Sequence, residues 1–215
     1  MNSYIREPIN GLTHLAGALL SFAGLLAMVI KASLTTGSLL AITSVVIFGL
    51  SMILLYSASA TYHMVISKNS VIAFLRRIDH SMIFVLIAGS YTPFCLISLN
   101  GVTGWTLFGI ITLAALAGIL FKMIWFKSPR WLSTSIYIVM GWMVIFVVSP
   151  LSSVLDPGGI FWLVAGGIMY TIGGVIYALK PDFLRSKYLG FHEIFHIFIL
   201  LGSLSHFLSV YIYVL

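Results

Sequence analysis

Charge is what this sequence has least of. Only 7% of its 215 residues are Asp, Glu, Lys or Arg, where a soluble globular chain carries about 25%. Five acids and eleven basic residues are too few to cover a water-facing surface. That excludes a soluble domain, a disordered tail and a nucleic-acid binder. The single cysteine, Cys95, excludes an internal disulfide, and its apolar neighbours suit an inert core thiol. There is no low-complexity tract and no convincing internal repeat. Apolar residues, by contrast, make up 60% of the chain, and the mean hydropathy is +1.12. The bilayer is therefore the expected solvent.

A spanning helix needs about 20 apolar residues. Runs of that kind stand at about residues 10–30, 41–66, 78–98, 104–124, 131–150, 159–179 and 189–213. Each is too long and unbroken to be a barrel strand. With no water in the hydrocarbon, each must satisfy its own backbone polar groups, so each should be a helix. The first run is expected to be a retained span rather than a cleaved signal. Residues 1–215 thus read as one seven-helix transmembrane domain, all-α and integral to the membrane.

The basic residues set its direction. Arg6, Lys68, Arg76, Arg77, Lys122, Lys127, Arg130, Lys180, Arg185 and Lys187 fall on one side of the seven-span map, and Lys31 alone falls on the other. This asymmetry predicts a cytoplasmic N-terminus and an outer C-terminus. It also accounts for the net charge of +6 without an anionic macromolecular partner. Asn100-Gly101 and Asp156-Pro157-Gly158-Gly159 mark outer turns, and Pro93 should kink the third span.

Ionisable side chains inside spans are costly and mark functional sites by default. Here they are Glu7 and His14 at the first span, His63 in the second, Asp79 and His80 in the third, and His192, Glu193, His196 and His206 in the seventh. The alternation of spans brings His63, Asp79, His192, His196 and the Glu7–His14 segment to one depth, just below the cytoplasmic interface. His192 and His196 are i and i+4 on one helix face, and Ser59 and His63 repeat that spacing. Three neutral imidazoles from two helices, with a fourth position open, match a catalytic zinc site. In this reading His63, His192 and His196 bind Zn2+, Asp79 holds or deprotonates the attacking water, and Ser59 supports it by hydrogen bonding.

Plainer readings stand beside these. Asp79 can instead pair with Arg76 or Arg77. His14, Asn10 and Glu7 suit an interhelical hydrogen-bond set better than a ligand set. His80 should face away from Asp79, because neighbouring helical residues differ by about 100°. His206 stands about 15 Å beyond His196 along its helix, too far for the same ion. His192-Glu193-Ile194-Phe195-His196 is also a literal H-E-x-x-H string, with Glu193 as a candidate base. It resembles the intramembrane metalloproteases, whose third ligand is an aspartate. The only similar segment, Leu155-Asp156-Pro157-Gly158, is expected a hydrocarbon thickness of about 30 Å away.

Several segments together resemble the hemolysin III family, the bacterial branch of the progestin and adipoQ receptor (PAQR) proteins. They are Glu7-Pro8-Ile9-Asn10-Gly11-Leu12-Thr13-His14, Ser59-Ala60-Thr61-Tyr62-His63, Asp79-His80-Ser81 with Gly89-Ser90-Tyr91-Thr92-Pro93-Phe94, and His192 to His196 with His206-Phe207. The resemblance covers nearly the whole chain. It implies a multi-pass protein of the bacterial plasma membrane with zinc near the inner face. Position by position it puts the ligands on His63, His192 and His196, the carboxylate on Asp79 and the supporting serine on Ser59. The superfamily includes alkaline ceramidases, which implies a zinc-dependent hydrolase of a lipid amide or ester, with membrane lipids as partners. Glu193 departs from the eukaryotic receptors, and no long N-terminal extension like theirs precedes the first span. The family name implies the alternative, a haemolytic pore former or a sensor of membrane state with structural zinc. The span centres are apolar, which disfavours a monomeric channel, and there are no paired broken helices of the transporter kind.

Overall fold

The computed structural model describes residues 5–184, 186 and 189–215. Among the described residues, seven helices are long and apolar enough to cross a membrane. They are α1 (Pro8–Thr35), α2 (Leu39–Met64), α3 (Asn69–Ser98), α4 (Val102–Ile124), α5 (Arg130–Ser152), α6 (Pro157–Leu179) and α7 (Phe191–Val214). No strand occurs among the described residues. Of the sixth-loop basic residues, Arg185 and Lys187 lie outside the described ones.

Short turns make consecutive helices antiparallel, so sequence neighbours pack side by side. The bundle closes because α7 lies against both α6 and α1. Its outer surface is apolar: Leu19, Leu20, Leu34, Leu113 and Phe146 are exposed where lipid would lie. Small polar side chains such as Ser44, Ser51, Ser59 and Ser81 are buried instead. This inversion follows from a solvent as apolar as leucine, in which close packing and interhelical hydrogen bonds hold helices together.

The helices start and stop as local chemistry requires. Pro8 and Pro157 occupy first-turn positions, where a missing N–H costs nothing. The Asp156 carboxylate caps α6 by accepting from the Gly158 N–H at 2.7 Å. Beyond Pro93, which has no N–H to donate, α3 runs on as a π-helical turn, Phe94–Ser98. A 3₁₀ segment, Trp142–Val147, similarly interrupts α5. The Lys31 ammonium caps the far end of the bundle by donating to the Tyr211 carbonyl.

One boundary differs clearly from the sequence expectation. Helix α3 begins at Asn69 rather than near residue 78. Hydropathy places the start late because Arg76 and Arg77 interrupt the apolar run. The helix nevertheless extends through them, and both guanidinium groups lie over the Phe126 ring, at 5.3 and 5.4 Å. Asp79 is therefore well inside α3, not in its first turn.

Candidate metal centre

The centre is assembled at the end of the bundle where α2 finishes and α7 begins. Ser59 and His63 lie one turn apart near the end of α2, both buried. His192 and His196 lie one turn apart at the start of α7. Each pair shares a face because residues four apart on a helix are neighbours. Since α2 and α7 both border α1, the two pairs converge across it. Ring centroids are 5.1 Å apart for His63 and His192, 4.9 Å for His63 and His196, and 4.7 Å for His192 and His196. One ligating atom from each of the three rings lies within 4.8 Å of the others.

The donor set fits a divalent ion. His63 Nε2 and His192 Nε2 are 3.4 Å apart. In a tetrahedral site with metal–nitrogen bonds of about 2.0–2.1 Å, ligand nitrogens stand about 3.4 Å apart. His196 is 2% exposed and its Nδ1 has no hydrogen-bond partner. Imidazole nitrogens suit zinc, copper, iron and nickel over the hard ions magnesium and calcium. The cluster can therefore hold a metal ion.

The first turn of α1 orients these rings. Glu7 Oε2 is 2.6 Å from His63 Nδ1. A carboxylate there accepts the Nδ1 proton and leaves Nε2 free to face the cluster. Burial alone would raise the Glu7 carboxyl. The hydrogen bond and charge of His63, with Arg6 at 3.4 Å, outweigh it and hold the group below its ordinary range. Asn10 Nδ2 donates to Glu193 Oε1 at 2.8 Å and approaches Glu7 Oε2 at 3.5 Å. Glu193 Oε2 accepts from the Gly190 N–H at 2.8 Å and so caps α7. Its two oxygens are thus committed to structure, which accounts for Glu193 without a role as a base.

His14 is not part of that hydrogen-bond set, contrary to expectation. It is 3% exposed and neither ring nitrogen has a partner. Its ring stacks on His196 at 3.7 Å and meets Tyr56 edge-on at 5.1 Å. Sequence reasoning had no signal for a stacked His14, because stacking depends on the approach of α1 to α7.

Asp79 and Ser59 line one internal cavity together with His14, His80, His192 and His196. Ser59 is the polar neighbour of the Asp79 carboxyl. Among the described residues Asp79 forms no ion pair within 4 Å, so the pairing with Arg76 or Arg77 is not made. His80 does not face away, as its position next to Asp79 suggests; both line the cavity. Its Nε2 meets the Tyr177 hydroxyl at 3.3 Å. His206 is removed from the cluster, as expected, with Nε2 at 3.2 Å from the Leu163 carbonyl. Asp156 caps the opposite end of α6 from Tyr177, which contacts His192. Among the described residues Asp156 joins no metal-ligand group.

Comparison with known proteins agrees with this architecture. A family model described as "Haemolysin-III related" matches residues 2–207. The chain is 40% identical to Hemolysin-3 of Bacillus cereus over 216 residues, covering 100% of this chain and 95% of that protein. It is 43% identical to the Hemolysin-3 homolog of Bacillus subtilis (strain 168) over 210 residues, covering 97% and 95%. Seven spans and these bacterial relatives make it a multi-pass protein of the bacterial cell membrane. The family-model match over residues 2–207 and the 40–43% identity to these relatives over nearly their whole length identify the chain as a member of the haemolysin-III-related family.

Proposed function

We propose that the cluster binds zinc and that the protein hydrolyses a lipid amide or ester within the membrane. The observation that carries this is the convergence of three imidazoles, two of which, His192 and His196, line an internal cavity together with Asp79, a carboxylate without an ion pair among the described residues. Zinc, when bound, supplies Lewis acidity. His63, His192 and His196 hold it, and Glu7 fixes the tautomer of His63. Asp79, positioned by Ser59, takes a proton from the attacking water and returns it to the leaving nitrogen or oxygen. One C–N or C–O bond breaks, the acyl carbon gains the water oxygen, and no oxidant or reductant is needed. Apolar walls behind the cluster hold the acyl chain and exclude bulk water. The N-terminus is cytoplasmic in this reading, so the centre lies near the inner leaflet.

The test pairs Asp79→Asn with metal analysis of the purified protein. The variant should keep one metal per chain and hydrolyse a fluorogenic long-chain acyl amide at least about 100-fold more slowly. Unchanged turnover removes the role assigned to Asp79. Folded wild-type protein without stoichiometric metal removes the whole reading.

A second reading rests on the printed name of the Bacillus cereus relative, a hemolysin. In it the metal is structural and the protein permeabilises membranes. Dye release from liposomes by purified protein at low density supports it; intact liposomes exclude it. The gathering of the buried ionisable groups His14, His63, Lys122 and His196 at one end, with His206 apart, favours the hydrolase, because a pore needs a polar lining along its length.

A further inference from the structure

The basic residues at the mouth of the cavity do more than bias topology. Lys122, on the last turn of α4, is 3% exposed. Among the described residues its ammonium donates to two hydroxyls, Ser128 Oγ at 3.1 Å and Ser133 Oγ, and lies 5.7 Å over the Phe121 ring. Among the described residues no carboxylate lies within ion-pair distance of Lys122, Arg76 or Arg130. All three line the same cavity as Asp79, His192 and His196, as do Ser128, Ser133 and Thr134. Two donors in this corner are buried and unused, Arg130 Nη1 and Thr134 Oγ1, the latter on a side chain 4% exposed. Aromatic faces fix the guanidinium groups. Arg130 lies 5.1 Å over Tyr177, and Arg76 lies over Phe126, on which His80 also stacks at 5.9 Å.

A buried cation without a counter-ion is expensive, because desolvation is not offset. Three cations against Asp79 alone leave this corner in need of negative charge. Surface lysines kept at the cytosolic face require no such arrangement, since water solvates them. The donors are also numerous: one ammonium, two forked guanidiniums and unsatisfied hydroxyls. That is more than the two oxygens of a carboxylate accept, and it suits a tetrahedral oxyanion. Beyond the corner the cavity is apolar and long. Its lining runs along α3 from Asp79 to Leu99, roughly 30 Å of helical rise. The cavity volume is about 170 Å³.

We infer that this basic corner receives the phosphate headgroup of a single-chain membrane amphiphile whose hydrocarbon tail fills the apolar cavity beside the three histidines. The substrate class of the metal centre is then an acyl lipid with a phosphate at its polar end, not a neutral one. This rests on the hydrolase reading for the chemistry alone; the binding stands without it.

The experiment measures binding to the full-length protein in a neutral maltoside detergent, by thermal shift and tryptophan fluorescence. The ligands are decyl phosphate, decanol, decyltrimethylammonium and inorganic phosphate. Decyl phosphate should bind at least about ten-fold more tightly than decanol, and the ammonium amphiphile should bind least. Lys122→Met should remove most of the phosphate advantage, and Thr134→Val part of it. Equal affinity for decyl phosphate and decanol overturns the proposal, as does unchanged phosphate preference in a folded Lys122→Met variant. Inorganic phosphate binding as tightly as decyl phosphate assigns the corner to a soluble anion and overturns the lipid assignment. If Lys122→Met fails to fold, the wild-type headgroup series still decides. His63→Ala separates the two readings: it should lose metal and turnover yet keep decyl phosphate. A metal centre that proves inert leaves the binding result intact, and the reverse holds as well.

Discussion

At the residue scale, Glu7 is the side chain whose value is easiest to underestimate. It precedes the first helix, is half-exposed, and ligates nothing in the reading given above. Yet it is 2.6 Å from His63 Nδ1 and decides which nitrogen of that ring carries the proton. Such partners of metal-bound histidines typically change metal affinity by about 10- to 100-fold when replaced. Glu7→Gln should weaken metal binding by that order while leaving the bundle intact. Competition with a chelator of known affinity measures it, and an unchanged affinity refutes the orienting role. The i, i+4 spacing of the histidines pointed to His192 and His196 directly. The convergence of His63 followed from counting spans. The Glu7 contact did not, because a turn preceding a helix has no periodicity from which its direction can be read. Glu193 illustrates the opposite case: a literal motif makes it a candidate base, but one of its oxygens caps α7 and the other accepts from Asn10 Nδ2.

At the element scale, close packing replaces the hydrophobic effect as the source of cohesion. The approach of α4 to the π-helical turn of α3 shows how little room remains. A Cβ built on Gly104 would stand 2.0 Å from the Cys95 carbonyl oxygen, a backbone atom that cannot rotate away. The turn before it is equally constrained, since Gly101 has φ of +113°, where side chains are strained. Gly109, five residues along α4 from Gly104, meets nothing within 4 Å. Gly104→Ala should therefore destabilise the bundle by about 1–3 kcal/mol. Gly109→Ala should be neutral or stabilising by up to about 1 kcal/mol, because alanine is the better helix former. Denaturant unfolding of purified protein compares them; equal effects would show that this contact is not tight. The start of α3 was misplaced at the same scale. Hydropathy records where the chain meets hydrocarbon, whereas a helix runs on into the interface wherever aromatic faces and water receive its cations.

At the scale of the whole molecule, the distribution of basic residues predicts which end faces the cytosol. In a Cys95→Ala background, Thr36→Cys should react with an impermeant maleimide added to intact cells. Lys127→Cys should react only after permeabilisation. The opposite pattern reverses the orientation and moves the metal centre to the outer leaflet. Buried Cys95 should itself stay unlabelled in the native protein.

Composition alone determined that this chain is a membrane-embedded helical bundle. With so few charges and such long apolar runs, no other structure satisfies the backbone in hydrocarbon. Spacing and span parity also determined that His63, His192 and His196 share one depth, since helix period and alternating direction fix face and depth. Three things were decided only by the tertiary structure: the carboxylate that orients His63, the stacking of His14 on His196, and the counter-ion-free lysine beside the cavity. Each depends on the lateral order and rotation of helices about their own axes. Those are set by the interlocking of glycines, serines and aromatics across interfaces, and no pattern along a single segment encodes them.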